Sequence, residues 1–302
     1  MARALLITNP AAARTEVAAV HATVDVLRRG GWGVDVRATG GPGDARRFAA
    51  EAVADGLDVV GVYGGDGTSM QAAAALVGSS TALGLIPGGT GNLLAGNIRI
   101  PSDPVQAARA MLEGTALALD LGRVERPDGT HYFAVAGGAG YDARVMAQTS
   151  TKEKRRWRFG AYVATTLRLL PQLQSTVFRV TVDGVSFEAP AALMLIANCG
   201  EVIPPFVKLR SGIRPDDGLL DAVLIRADGF VDSVRAVWEL LRERGSATGT
   251  GPGFIGYARG RVITVEPEQP QPVELDGEPH GVTPLTAEAV PRAIHVIAPS
   301  RP

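Results

Sequence analysis

The feature that most constrains this chain is a junction that occurs twice. The apolar run LDVVGVY passes straight into Gly64, Gly65, Asp66, Gly67 and Thr68, and the run ALGLIP passes into Gly88, Gly89, Thr90, Gly91 and Asn92. A buried strand that ends in glycines must turn tightly, and glycine permits both positive φ and close approach of backbone N–H groups to an anion. The segment after the first turn, GTSMQAAAALVG, reads as a helix whose N-terminal dipole adds to the same attraction. A phosphate is welcome there. It would repel Asp66 unless a metal ion, or a hydroxyl to be deprotonated, lay between them. Alone, GGDGT serves equally well as an aspartate N-cap on a glycine turn.

The surrounding rhythm removes that ambiguity. ALLITNP reads as a strand, Val17, Val20, Val24 and Leu27 recur at helical spacing, GVDVRAT is a second strand, and PGDARRFAAEAVADG a second helix. Strands alternating with helices imply a parallel sheet with right-handed crossovers, and such sheets bind ligands beyond the carboxyl ends of their strands. The two glycine turns then meet at one sheet edge, with Thr68 and Thr90, as a nucleoside triphosphate site. After LALDLGRV, residues 117 to 124, the pattern changes to extended segments such as STVFRVTVDGVSFE, APAALMLIANC and QPVELDGEP. VDGV, residues 182 to 185, fits a tight two-residue hairpin. This half reads as an antiparallel β domain. The expected boundaries are 1–122 for the α/β domain, with 286–302 as a segment that could return to it, and 123–285 for the β domain.

Composition narrows the function. With 302 residues, 46% hydrophobic and 20% charged, the chain can bury two domain-sized cores. A net charge of -1 argues against a nucleic-acid partner held by a general excess of positive charge. Cys199, the single cysteine, cannot form an internal disulfide, and its place in LMLIANC fits a buried inert thiol. His21, His131, His280 and His295 lack metal-ligand spacing. Asn9 and Pro10 cut the first apolar run too early for a signal peptide, and no run approaches the roughly 20 apolar residues of a membrane span. The cytoplasm is the expected location.

Asn9-Pro10, GGDGT at 64–68 and PGGTGN at 87–92 together resemble the diacylglycerol kinase catalytic domain family, which includes bacterial lipid kinases, sphingosine kinases and ceramide kinase. GGDGT also occurs in NAD kinases and, in a variant, in phosphofructokinases; PGGTGN favours the lipid kinases. RPDDGLLDAV at 214–223 and ELDGEP at 274–279 extend the resemblance over nearly the whole chain. It implies a Rossmann-like α/β domain, a C-terminal antiparallel β-sandwich, an active site in the cleft between them, and transfer of the γ-phosphoryl group of ATP, with Mg²⁺, to a lipid hydroxyl. Carried over residue by residue, it assigns nucleotide contact to Asn9, Pro10, Thr39, Gly64, Gly65, Asp66, Gly67, Thr68, Gly88, Gly89, Thr90 and Asn92. Asp66 would position the hydroxyl or hold magnesium through water, and Glu278, with Asp276 as the alternative, would accept the proton. Asp217 and the carbonyls of Leu219 and Arg214 resemble a structural magnesium loop, with Asp120 near the metal network.

The chain also departs from the family. NPAAAR has Ala12 and Ala13 where relatives often carry Ser-Gly, and Asn92-Leu93 stands where many bacterial diacylglycerol kinases read Asn-Asp. Two other readings stay open: a soluble-substrate kinase of the NAD kinase type, and a catalytically silent lipid-binding regulatory protein. A lipid substrate implies peripheral contact with the inner membrane surface. TKEKRRWRFGAYVATTLRLL, residues 151 to 170, combines cations with aromatics for that purpose, or packs as an ordinary helix. Oligomeric state is not readable; a homodimer is open to the chain.

Overall fold

The computed structural model describes residues 1–140, 175–204, 207–210, 212–229, 231–235 and 255–300. Segment 151–170 therefore lies outside the described residues. The chain divides into two compact units, Met1–Leu119 with Arg292–Pro302, and Asp120–Pro291.

The first unit alternates as its periodicity requires: β1 Arg3–Thr8, α1 Val17–Arg29, β2 Gly33–Ala38, α2 Asp44–Ala54, β3 Val59–Gly64, α3 Asp66–Leu76, β4 Ala82–Pro87, α4 Leu93–Asn97 and α5 Pro104–Glu113, followed by β5 Thr115–Arg126, which continues into the second unit. β1 pairs in parallel with β2 and β3, and β3 with β4. β3 and β4 are buried along their whole length, which is why they read as continuous apolar runs rather than alternating ones. α3, with Ala72, Ala73 and Leu76 buried, packs on both, and α5, with Ala107, Ala108 and Met111 buried, packs on β4; α1, with Thr23, Val24 and Leu27 buried, packs on β2 and α5. α5 starts where Asp103 accepts the amide of Gln106 at 2.9 Å and Pro104 takes the first turn. Every strand of this sheet points its carboxyl end to one edge, so the loops after β1, β2, β3 and β4 gather there.

The second unit continues with β6 Gly129–Phe133, β7 Ala136–Gly140, β8 Thr176–Val182, β9 Val185–Ala191, β10 Leu193–Ala197, β11 Glu201–Ile203, β12 Val207–Lys208, β13 Leu220–Ile225, β14 Ile255–Gly260, β15 Val262–Pro267, β16 Pro272–Leu275, β17 Glu278–Val282 and β18 Leu285–Ala298. One antiparallel layer runs β14-β13-β10-β7-β16-β17; the other contains β9-β8-β15 and the first half of β18, with β5 and β6. Phe133, Phe178, Val180, Met194, Ile196, Leu220 and Leu285 fill the core of these layers. Burying a side chain such as Phe178 contributes on the order of 2–3 kcal/mol. The hairpin expected at VDGV forms, Val182 opposite Val185, with Asp183 at φ 47° and Gly184 at φ 85°. The end of β18 belongs to the first unit, where His295 and Val296 pair in parallel with Ala82 and Leu83 of β4.

Candidate active site

In the first unit the glycine turns after β3 and β4 are built against each other. The Gly88 amide donates to the Gly64 carbonyl at 2.8 Å. A Cβ placed on Gly89 would lie 2.6 Å from the Gly65 Cα, so only glycine lets the two turns come this close. Asp66 then ties them: its carboxylate accepts the Asn92 amide at 2.7 Å and the Leu93 amide at 2.6 Å, which are the amides opening α4. Asn92, at φ 51°, knots its own loop by donating to the Gly89 carbonyl and accepting the Gly89 amide, both at 3.0 Å. The loop after β1 joins them. Asn9 Nδ2 donates to Thr68 Oγ1 at 2.8 Å, the Ala11 amide donates to Asn9 Oδ1 at 3.0 Å, and the Arg14 amide reaches the Gly88 carbonyl at 2.9 Å. Thr39 belongs to the same edge, its amide on the Thr8 carbonyl at 2.8 Å. Asn9, Gly64 to Thr68, Gly88, Gly89 and Asn92 are thus joined by hydrogen bonds or close packing, and Thr90 lies within the second turn.

The NPAAAR departure has a physical counterpart. The alanines place no hydroxyl in the loop; it is held by the Ala12 amide on the Asn9 carbonyl at 3.0 Å, by the Asn9 side chain, and by Tyr63 Oη donating to the Arg14 carbonyl at 3.0 Å.

In the second unit, Asp276 and Gly277 form a two-residue turn between β16 and β17 with φ values of 47° and 83°. The Asp276 carboxylate accepts the amides of Ala134, Val135 and Ala136 at 2.7, 2.9 and 3.0 Å. The residue keeps some exposed surface at the turn, while its carboxylate is enclosed; burial pushes its pKa up to about 6 against the three amides that lower it, with nearby Glu278 raising it slightly further. Glu278, two residues on, is exposed at the start of β17. Asp276 is engaged and Glu278 accessible, so the geometry favours Glu278 as the group that could meet an acceptor hydroxyl.

Asp120 and Asp217 belong to one loop system in the second unit. Asp120 is 1% exposed; its amide donates to the Pro215 carbonyl at 2.7 Å and its Oδ2 accepts the Gly218 amide at 2.6 Å. Asp217 Oδ1 accepts the Leu219 amide at 3.1 Å, and its Oδ2 lies 3.6 Å from Arg259 Nη1. The Arg214 side chain donates to Asp216 at 2.9 and 3.0 Å. Among the described residues no group of three His, Cys, Asp or Glu is gathered to hold a metal ion, so any ion at this loop would draw on carbonyls as well as carboxylates.

Two features escape a reading of the sequence, the Asn198 bridge and the His131–His280 contact, while Cys199 is as expected. Asn198 donates to the Asp120 carbonyl at 2.9 Å and the Ala134 carbonyl at 2.8 Å, joining the Asp120 loop to the segment that Asp276 grips. Its neighbour Cys199 is fully buried, with Sγ 3.2 Å from the Ala134 carbonyl and a thiol pushed far up by burial, as an inert residue should be. His131 and His280, far apart in sequence, bring their rings to 4.7 Å edge to face. An Asn at the end of a buried strand and a His on an inward face of a β layer were the available signals.

Residues 3–124 match the family model for the diacylglycerol kinase catalytic domain, and residues 135–298 match the YegS C-terminal NAD kinase beta sandwich-like domain. A Pseudomonas putida protein named "Probable lipid kinase YegS-like" is 31% identical over 288 residues, covering 93% of this chain and 90% of that protein. The chain belongs to the diacylglycerol kinase family. Other members include the diacylglycerol kinase of Bacillus subtilis, 28% identical over 99% of this chain and 97% of that one, and that of Mycobacterium tuberculosis, 30% identical over 97% and 94%. A solved structure from Bacillus anthracis covers 98% of this chain and 96% of its own with a TM-score of 0.82 at 23% identity, a likeness of fold.

Within this family frame, the N-terminal α/β unit and the C-terminal antiparallel β layers are the expected architecture. No helix among the described residues is long and apolar enough to cross a membrane.

Proposed function

We propose that this chain transfers the γ-phosphoryl group of ATP to the hydroxyl of a lipid such as diacylglycerol or a sphingoid base. The observation that carries the reading is the junction of the two glycine turns, Gly65 against Gly89, clasped by Asp66 and opened by the N-terminus of α3. Such a junction offers backbone N–H groups and a helix dipole to the phosphates. Asn9, Pro10, Thr39, Thr68 and Thr90 complete the nucleotide contacts in this proposal. The full-length likeness to proteins named as lipid kinases supports a lipid acceptor over a soluble one.

Alcohol attack on a phosphoryl group is a matter of in-line placement and charge neutralisation more than of basicity. Glu278 takes the hydroxyl proton late, once phosphoryl transfer has made that hydroxyl acidic. Asp276 holds the Ala134–Ala136 segment and the turn, and so fixes where Glu278 stands. Mg²⁺ would supply neutralisation of the phosphate charge, and Asp66 would position the acceptor hydroxyl or help to hold that ion. At the structural loop the donors are all oxygens, Asp217 and Asp120 with the carbonyls of Arg214 and Leu219, a set suited to a hard divalent cation. The proposed place of work is the cytoplasm, at the inner membrane surface where the lipid lies.

The test is a thin-layer assay with labelled ATP and a panel of diacylglycerol, monoacylglycerol, sphingosine, ceramide and phosphatidylglycerol. Label on one lipid class in a Mg²⁺-dependent manner is the expected result; label on none of them would overturn the proposal.

A further inference from the structure

The inward face of β5 and β6 carries an unexpected load. Interior positions of packed antiparallel layers are ordinarily apolar, and Val124 and Phe133 on this face obey the rule. Arg126 lies two residues beyond Val124, and His131 stands opposite Val124 in the register. These polar groups occupy one end of the core.

Arg126 reaches across to the strand that carries Glu278. Its Nη1 donates to the Val282 carbonyl at 3.1 Å and the Pro284 carbonyl at 3.0 Å, fastening the end of β17. Its Nε and Nη2 are buried without a hydrogen-bond partner, and burial lowers its pKa. Between this fastening and Glu278 sits His280, half-buried, its ring 4.7 Å from that of His131. The groups facing His280 are His131 and Arg126 on the opposite layer and Asp128 in the β5–β6 turn; on its own strand Glu278 is two residues away. Asp128 is 75% exposed on its side chain and already engaged by His131 Nε2 at 3.0 Å.

We infer that Arg126, His131 and His280 form an acid-sensitive latch, which holds the β17 strand and its Glu278 in place while His280 is uncharged and loosens when His280 takes a proton. The physical cause is local. A proton on His280 adds positive charge near a guanidinium two of whose nitrogens are buried without a partner, at a half-buried end of the core. Burial, then His131, hold His280 below its ordinary value of 6.5, Asp128 works against this, and Arg126 adds to the lowering. The sign follows. The folded chain binds this proton less readily than the unfolded one, so the latch is fully closed above about 6.5 and opens as pH falls below it. Asp276, raised to about 6, acts in the opposite sense over part of this range, since burial favours its neutral form. Wild type must therefore be compared with a His280 variant rather than read alone.

The latch on the strand stands without the kinase reading; its consequence for turnover rests on that reading. Hydrogen exchange in the full-length chain, followed on the peptide spanning residues 272–284 at pH 7.5 and 5.5 and corrected for intrinsic rates, separates the two. Wild type should lose protection at the lower pH by about threefold or more, and His280→Gln by much less. Equal loss in both proteins would overturn the latch. Titration of the His280 ring by NMR needs no variant: a midpoint below 6.5 is expected, and one at or above 6.5 contradicts it. In lipid phosphorylation, kcat normalised to each protein's own value at pH 8 should fall on the acid side in wild type and stay flatter in His280→Gln, with KM for ATP unmoved. If exchange shows the latch but no lipid is labelled at any pH, the latch stands and the kinase reading fails.

Discussion

Asp66 and Asp276 perform the same mechanical act in different surroundings. Each is a carboxylate that grips the backbone amides of a neighbouring segment, Asn92 and Leu93 for Asp66, Ala134 to Ala136 for Asp276. Asp66 does so half-buried at the mouth of a helix, between two glycine turns. Asp276 does so enclosed, at the cost of a pKa raised to about 6. The difference lies in access: the first carboxylate is only half-buried, while the second is an enclosed fastening whose neighbour, Glu278, is exposed and is the proposed proton acceptor.

Asp66→Asn should give the largest loss. The amide group turns an N–H₂ towards the Asn92 or Leu93 amide and removes the charge that would hold metal or hydroxyl, so kcat should fall by on the order of 10²-fold or more. Steady-state kinetics with a melting curve checks it, and kcat near wild type would erase the distinction between the two carboxylates. Glu278→Gln comes next. An exposed side chain at the start of β17 contributes little to folding, so phosphorylation should drop by about 10²-fold while ATP binding by calorimetry stays. If ATP binding collapsed as well, Glu278 would be structural.

Asp276→Asn should act on stability instead. Asparagine tolerates the positive φ, but one of the three amides loses its acceptor, a cost of about 1–3 kcal/mol, or a melting temperature lower by roughly 2–10 °C. The neutral carboxyl is the form favoured by burial, so Asp276 supports the fold most fully below its unfolded value of 3.8 and loses that support as pH rises through about 6. The stability difference between wild type and Asp276→Asn should therefore shrink over that window, and a difference that grew with pH would mean the three amides outweigh burial. Smallest of all, Asp217→Ala loses one 3.1 Å bond and a 3.6 Å ion pair to Arg259 in an exposed turn and should lower stability by no more than about 1 kcal/mol unless Mg²⁺ is present. A larger drop appearing only with Mg²⁺ would mark an occupied ion loop.

How much of this was legible in the sequence depends on the range of the interaction. The strand–glycine–helix junctions are local: Val59 to Thr68 contain the buried strand, the turn and the helix start, and the parallel order follows from their repetition. The Asp183-Gly184 hairpin was legible for the same reason. The partners of Asp66 were not, because they lie in another loop that only the pairing of β3 with β4 brings near. Asp276 stayed open as the alternative base to Glu278, since nothing in ELDGEP reveals that the Ala134–Ala136 amides close over one carboxylate and leave the other exposed. The meeting of His131 with His280 depends on the packing of two β layers, and histidine spacing along the chain could not show it.

The two glycine turns, pressed together, make the proposed phosphate site. Gly89→Ala tests it most directly, because the added Cβ would stand 2.6 Å from the Gly65 Cα and must push the turns apart. Calorimetry with ATP and Mg²⁺ should then show binding weakened by at least about tenfold, equivalent to about 1.4 kcal/mol, in a protein that still melts cooperatively. Unchanged ATP affinity in Gly89→Ala would mean that the phosphates bind elsewhere.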